Sequence, residues 1–521
     1  MRHERFVMRD ALIRTMAPFA AYGFLLWGGA PSAQDLRIDH VTIVSSERES
    51  PLRDADVYIR NGRISAISES GSSSPPNLVP KVVTISGRNL YLIPGLIDSH
   101  VHLGAIQGMT AEQEQAHPDI ARAAREQIPR SYLYSGFTTL VDLISTPEAM
   151  ASWRSHDPVP DTYFCGGAAL MDGYPMNYAP KPARYTTMPY MIVEPQAVAA
   201  LPQGVEAAEH TPATVVARMK SDGAVCVKTF FERGFGGEHD LPVPQPETIR
   251  ALVRAAHAQG LPVLMHANSA EAQTFALDMG VDIIAHGLWN VKESSASGDL
   301  TPEMKSILDR VIATKVGWQP TIQVLHGLQD LFTVGFLSDP MLARVLPHSL
   351  IDWYGTHEGQ WFHDVVAGDV AKIDASAMRP NFSAPIARDA AATRYLAEHG
   401  GRLLFGTDTP SAPTYANPPG LNGWFEIERL AAAGMTPAQI FRAATLSNAQ
   451  AFHLDGEIGT VQVGKRANLL LLRRDPTQTI QAYVAVAKVI LAGRVLDPAD
   501  LVANRKNAHP GHVDAPPMSG L

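Results

Sequence analysis

Between residues 92 and 454, eight short apolar runs alternate with helical stretches, and few folds accommodate that order. The runs are "LIDSHVH" (96–102), "TTLVDL" (138–143), "TYFCGG" (162–167) and "AVCVKTF" (224–230). "PVLMHA" (262–267), "DIIAHG" (282–287), "VGWQPTI" (316–322) and "RLLFGTD" (402–408) complete the set. Stretches such as "PETIRALVRAAHAQG" (246–260) separate most of them at helical period. Strands alternating with helices predict a parallel sheet, and eight of them predict an α/β fold of the (β/α)8, TIM-like barrel type. An open doubly wound sheet is the alternative, but no glycine-rich dinucleotide fingerprint follows an early strand.

Both ends of the chain have a different character. Residues 37–71 alternate apolar and polar, and Asn61-Gly62 between two such runs is a hairpin signal. "ANLLLLRRDP" (467–476) and "VAVAKVILAGRVLD" (484–497) are again strand-like. The two ends are expected to build one small β-sandwich. The expected division is a signal peptide at 1–33, a composite β domain from 34–91 and 455–506, a barrel from 92–454, and a disordered tail at 507–521. Residues 325–385 form a long insertion after the seventh strand. "TPAQIFRAATL" begins with a capping box, Thr436 with Gln439, and has Pro437 in its first turn.

Arg2, Arg5, Arg9 and Arg14 precede the apolar stretch "MAPFAAYGFLLWGGA" (16–30), which has the layout of an export signal. A periplasmic or secreted protein is therefore expected, with the mature chain starting near Gln34 and no stable membrane insertion after processing. The formal charge of −9 over 521 residues offers no basic footprint for nucleic acid. The two cysteines, Cys165 and Cys226, cannot make a thiolate metal cluster. A disulfide between them is open, but two buried free thiols are the expected state.

Active sites of such barrels lie at the C-terminal ends of the strands. His100 and His102 are one residue apart near the end of the first strand, so the period of two puts both imidazoles on one face. Lys228 is on the fourth strand, His266 ends the fifth, His286 the sixth and Asp408 the eighth. Taken singly, each has an ordinary structural explanation: Lys228 paired with Glu232 or Asp142, His286 at a strand end, Asp408 in a turn before Thr409-Pro410. Together on one rim they form a candidate metal-ligand set. His117, His210, His257, His348 and His453 read as surface residues. His239 and His326 lie where a substrate would pass, and Arg233 could bind a substrate carboxylate.

With these motifs in view, "PGLIDSHVH", "GFTTLVDL", "VKTFFE", "VLMHANS", "IAHG", "LLFGTDTP" and "GEIGTVQVGKRANLLLL", the chain resembles the amidohydrolase superfamily. The likeness is to its imidazolonepropionase-like and prolidase-like members. It implies two divalent metal ions, zinc by default. His100, His102 and Asp408 would hold one, His266 and His286 the other, with a carboxylated Lys228 bridging them. It also implies Asp408 as the catalytic proton shuttle. The activity implied is hydrolysis of an amide C–N bond in a dipeptide, N-acyl amino acid or cyclic amide. Esterase, lactonase or phosphotriesterase chemistry on the same site is the alternative, and a catalytically inactive binding module is the alternative of another class. The partner implied is a small-molecule amide or dipeptide, with homo-oligomerisation left open. The family pattern has Asp at the position of Asn468, which lies in the β domain, so a structural role is expected for it.

The N-terminal reading has a direct check. Protein exported by a Gram-negative host should give an N-terminal sequence starting near Gln34. An intact Met1 on a cytoplasmic protein would contradict export.

Overall fold

Asn61 and Gly62 both take positive φ, 51° and 74°, which is the backbone a two-residue hairpin turn needs. In the computed structural model that turn joins the second and third strands of a sheet built from both ends of the chain. The structure describes residues 35–70, 82–179, 184, 188–235, 240–290, 298–369 and 375–504. The expected signal peptide, His239 and the expected tail lie outside the described residues.

The N-terminal part supplies β1 (Leu36–Ile43), β2 (Leu52–Arg60), β3 (Arg63–Glu69), β4 (Val83–Ser86) and β5 (Tyr91–Pro94). The barrel strands follow in sequence: β6 (Leu96–Val101), β7 (Phe137–Asp142), β8 (Asp161–Ala168), β9 (Cys226–Phe230), β10 (Val263–His266), β11 (Ile283–Ala285), β12 (Gly317–Gln319) and β13 (Arg402–Leu403). β14 (Leu469–Leu472), β15 (Val486–Leu491) and β16 (Arg494–Leu496) return to the first sheet. Its order is β16-β15-β14-β5-β1-β2-β3, with β4 also on β1. The pairing is one continuous mixed sheet and does not by itself define the two layers of a sandwich. Leu469–Leu472 is buried throughout, because β14 runs between β5 and β15 in mid-sheet.

The second sheet is eight-stranded and all its pairs are parallel, in the order of the chain. Its two ends meet: Ser99 N donates to Phe405 O at 3.2 Å and Asp408 N to His100 O at 2.7 Å. Asn448 holds that seam, its amide nitrogen donating to Ile97 O at 2.9 Å and Phe405 O at 2.7 Å. Helices cover the outside. Pro246–Ala258, for example, buries Ile249, Leu252, Val253 and Ala256, an apolar stripe at helical spacing. The Thr436/Gln439 capping box and Pro437 start a helix at Pro437–Arg442, as expected.

The expectation of two free thiols is corrected. Cys165 and Cys226 are directly paired across β8 and β9, their Cα atoms are 4.5 Å apart, and they form a disulfide. Adjacent parallel strands bring the two side chains within bonding reach. They pack with Leu264, Ile283 and Leu404 in the apolar floor of the barrel.

The described residues of the 325–385 stretch are largely helical. Within them, the Tyr354 hydroxyl donates to Gln107 O at 2.6 Å and the Trp361 indole nitrogen to Gly108 O at 2.8 Å. Both bonds tie the insertion to the loop that follows β6.

Asn468 links the two sheets. Its amide donates to Asp161 Oδ2 at 2.6 Å, and its side-chain oxygen accepts from Ala492 N at 2.8 Å. The amide both donates to Asp161 and accepts from a backbone N–H, which an ionised carboxylate cannot do. Asn468→Asp should therefore face one carboxylate with another and lower stability by about 1–3 kcal/mol at pH 7. The loss should shrink at acid pH, where the pair can share a proton. Thermal unfolding at two pH values measures it, and an unchanged Tm at neutral pH would contradict the role.

Candidate metal centre

β6 delivers two histidines to one carboxylate. His100 Nε2 lies 3.0 Å and His102 Nε2 2.9 Å from the same oxygen, Asp408 Oδ1. Their bases are fixed from behind. Gln319 donates to Ser99 O and Oγ at 3.2 and 2.8 Å, which turns its oxygen toward His100 Nδ1 at 3.1 Å. Nδ1 then carries the proton, and Nε2 presents its lone pair to the mouth of the barrel. Room for His100 comes from Gly406, where any Cβ would sit 2.7 Å from the His100 Cβ.

His286 arrives by a backbone detour. Ile283 and Ala285 pack inside the barrel and Ile284 packs outside, so simple alternation would send residue 286 outward. His286 takes φ +79° instead, and its ring lies 5.0 Å from that of His100 and 4.6 Å from that of His266. Asp408 also has positive φ, 57°. Non-glycine residues there cost of order 1–3 kcal/mol, a strain that clusters at functional sites. Thr321 Oγ1, 2.9 Å from His286 Nδ1, orients the ring.

His100, His286 and Asp408 offer ligand atoms all within 4.8 Å of one another, and all three residues are buried. His102 joins them through Asp408. Burial lowers the His100 imidazole to about 3 and holds His286 well below its usual range. Both are neutral at physiological pH, the form that ligates. Burial alone would raise Asp408, but the contacts of His100 and His102 with its carboxyl outweigh it and hold it well below the usual carboxylate range. Two imidazole nitrogens and a carboxylate oxygen gathered at one point suit a cation. His100 Nε2 is buried and, although 3.0 Å from Asp408 Oδ1, makes no hydrogen bond among the described residues, so the donor set fits a cation.

Lys228 is buried on β9, and among the described residues it has no ion pair. Burial pushes its amine down to about 7, with Asp408 pulling the other way. Its charge is felt by His100, His266 and His286, so it faces the same cluster. Pairing with Glu232 or Asp142 is not what the structure has. Glu232 accepts from Gly234 N and from the Asn268 amide, and lies 3.0 Å from His266 Nε2. Asp142 accepts from Leu103 N and Ile144 N. His266 is thus at the centre by position, yet its Nε2 is engaged by Glu232.

Several residues around the centre were not singled out from the sequence. Asp98, raised by burial to about 7, accepts from the Thr407 hydroxyl at 2.7 Å and steadies the strand end that carries Asp408. Gln319, Thr321 and Glu232 orient histidines. Tyr174 and Trp289 place rings 4.8 Å from His266 and 4.7 Å from His286. The one available signal was proximity in sequence, as in Asp98 two residues before His100.

Other expectations change. Arg233 is committed to Glu271, with nitrogens 2.8–3.2 Å from both carboxylate oxygens, and is not a free cation at the rim. His210 is buried rather than superficial, its Nδ1 3.1 Å from Met191 O. His326 lies on the helix Ile322–Asp330, where burial, then Arg429 and Arg379, lower it to about 3.

His100→Ala removes a ligand atom and the partner of Asp408. Metal content and activity should fall together in that variant, read by elemental analysis beside a hydrolysis assay. Full occupancy with full activity would remove His100 from the centre.

Comparison with known proteins supports this reading of the barrel. The model of the amidohydrolase family matches residues 91–303 and 357–496. A 5-methylthioadenosine/S-adenosylhomocysteine deaminase from Caldicellulosiruptor saccharolyticus is 37% identical over 70 residues, 13% of this chain and 16% of that protein. The chain thus spans less than a fifth of the length of that curated relative. A solved Xaa-Pro dipeptidase with bound methionine superposes with a TM-score of 0.60 at 21% identity, covering 89% of this chain and 100% of the other. A putative prolidase from Bifidobacterium longum gives 0.59 at 23% identity, over 89% and 95%. At such identities the superpositions show a shared fold, and the match over most of the chain shows the kinship: the chain belongs to the amidohydrolase family.

Proposed function

We propose that this chain hydrolyses an amide bond in a small molecule, a dipeptide, N-acyl amino acid or cyclic amide, at a two-metal centre. The observation that carries the reading is the convergence of His100 and His102 Nε2, at 3.0 and 2.9 Å, on one oxygen of Asp408. His100, His102 and Asp408 would hold one ion, and His266 and His286 the other. Zinc suits nitrogen and oxygen donors. A carboxylated Lys228 would bridge the two. Burial brings its amine to about 7, so much of it is unprotonated near neutral pH, the form that can take up carbon dioxide. A putative prolidase and an Xaa-Pro dipeptidase share this fold, which is compatible with a dipeptide substrate.

Bound divalent ions would polarise the scissile carbonyl and bring the pKa of a water to near neutral. The chain's own residues account for the proton. Asp408 is ionised and shares its Oδ1 with two imidazoles, so it can accept the proton of the attacking water. As the C–N bond breaks, the same carboxyl hands that proton to the leaving nitrogen. The water oxygen ends in the new carboxyl group with the second water proton, and the amine leaves with the first. Gln319 and Thr321 hold the His100 and His286 rings while this happens.

Export fits the same proposal. The basic-then-apolar N-terminal segment suits secretion, and the Cys165–Cys226 disulfide suits an oxidising compartment. Among the described residues no helix is long and apolar enough to cross a membrane.

Asp408→Asn keeps the size and one acceptor oxygen but loses the base. On zinc-loaded protein, kcat toward amides should fall by roughly 100- to 10,000-fold. Metal content should fall far less, because five ligands remain. Near-normal kcat at full occupancy would remove Asp408 from proton transfer. Running dipeptides, N-acyl amino acids and cyclic amides beside esters, lactones and phosphotriesters identifies the bond. No turnover of any of them would favour a binding module.

A further inference from the structure

Four rings form an arc beside the centre. Tyr174 lies 4.8 Å from His266, His266 lies 4.6 Å from His286, and His286 lies 4.7 Å from Trp289, centroid to centroid. Tyr174 follows β8 and Trp289 follows β11, so the two aromatics flank the two histidines from separate loops. Phe235, after β9, packs 5.5 Å from Tyr174 and 6.3 Å from His266. Tyr174, Phe235 and Trp289 are each only partly buried, so their rings are not fully spent on packing.

Trp289 is held with unusual investment. Its indole nitrogen donates to Asp389 Oδ2 at 2.8 Å, and the Arg388 guanidinium donates to its carbonyl at 2.8 Å. Asp389 is fully buried, and its other oxygen has no hydrogen bond among the described residues. Gly287 makes the approach feasible, since a Cβ there would lie 1.8 Å from Asp389 Oδ1. Burial raises the Asp389 carboxyl well above its usual range, the Trp289 hydrogen bond opposing it; a buried polar group is costly, and this one fixes an indole whose ring lies beside a site histidine. A stacking surface gains from being preorganised in this way.

Charge excludes the other obvious recognition device on this side. Among the described residues, Arg233 is taken by Glu271 and Arg184 by Asp172, and neither is left to meet a substrate carboxylate. What the arc offers is a set of aromatic rings, each tilted to the next.

We propose that Tyr174 and Trp289 form a subsite for an aromatic group attached next to the scissile bond, so that the preferred substrate is an aryl-bearing amide. This rests on the amide-hydrolase reading and narrows its substrate class. Stacking on an aromatic surface contributes about tenfold or more per ring.

Two arms on the zinc-loaded full chain test it. In the first, binding of benzamide and acetamide is compared by calorimetry, without need of turnover. Benzamide should bind at least tenfold more tightly. Trp289→Ala and Tyr174→Leu should each reduce that ratio several-fold, and Trp289→Phe should largely keep it. Equal binding of the two amides, or a ratio unmoved in both truncated variants, would overturn the subsite. In the second arm, kcat/KM is compared for N-benzoylalanine, acetanilide and N-acetylalanine. The aryl members should lead by at least tenfold, and leadership by N-acetylalanine would also overturn the proposal. If none of the three is hydrolysed while the benzamide preference and its loss in the variants persist, the subsite stands and the amide-hydrolase reading fails. Folding of each variant is checked by its Tm, and the two truncations lie in separate loops, so loss of one leaves the other to decide.

Discussion

A buried carboxylate with two imidazole nitrogens on one of its oxygens is the constraint on which the rest of this structure depends. Removing one partner from a buried charge network costs about 3–5 kcal/mol, so Asp408, His100 and His102 must be positioned together or not at all. The barrel seam does this. Asp408 N donates to His100 O, and Asn448 clamps Ile97 and Phe405 on either side of the join. The covalent neighbours of the ligands are therefore the residues that close the sheet. Closure of the fold and assembly of the donor set are one event.

Around that seam the polar groups are arranged to leave donor atoms free rather than satisfied. Gln319 takes up His100 Nδ1, and Thr321 takes up His286 Nδ1. Positive φ at His286 and Asp408 is tolerated where alternation would have turned His286 away. Each feature costs stability by itself. Together they give neutral imidazoles and an ionised carboxylate in one small volume, which is a poor way to build a core and a good way to bind a cation. His266 is the exception. Its Nε2 is held by Glu232 and Asn268 lies close by, so its half of the centre is the more heavily supported by neighbouring side chains.

Much of this was legible in the sequence. All eight barrel runs became strands because apolar residues with turn signals on either side specify buried parallel strands well. The hairpin at Asn61-Gly62 and the capping box at Thr436 were legible because their chemistry is local. His100, His102 and Asp408 could be grouped because strand ends share one rim. What escaped was long-range. Nothing local shows that Gln319 turns toward His100, that Glu232 serves His266 rather than Lys228, or that Asp389 lies behind Trp289. The disulfide escaped because strand register, not spacing, pairs Cys165 with Cys226. His210 escaped because its burial depends on loops whose course cannot be read from periodicity.

The central claim is that these side chains are a metal centre and not a satisfied polar core. Anomalous diffraction from crystals of the zinc-loaded full chain tests it most directly. The account predicts two zinc peaks at the barrel mouth, one among His100, His102 and Asp408 and one beside His266 and His286, with added density on Lys228 between them. Peaks elsewhere, or an ion-free mouth with His100 Nε2 still facing Asp408 at hydrogen-bonding distance, would contradict it.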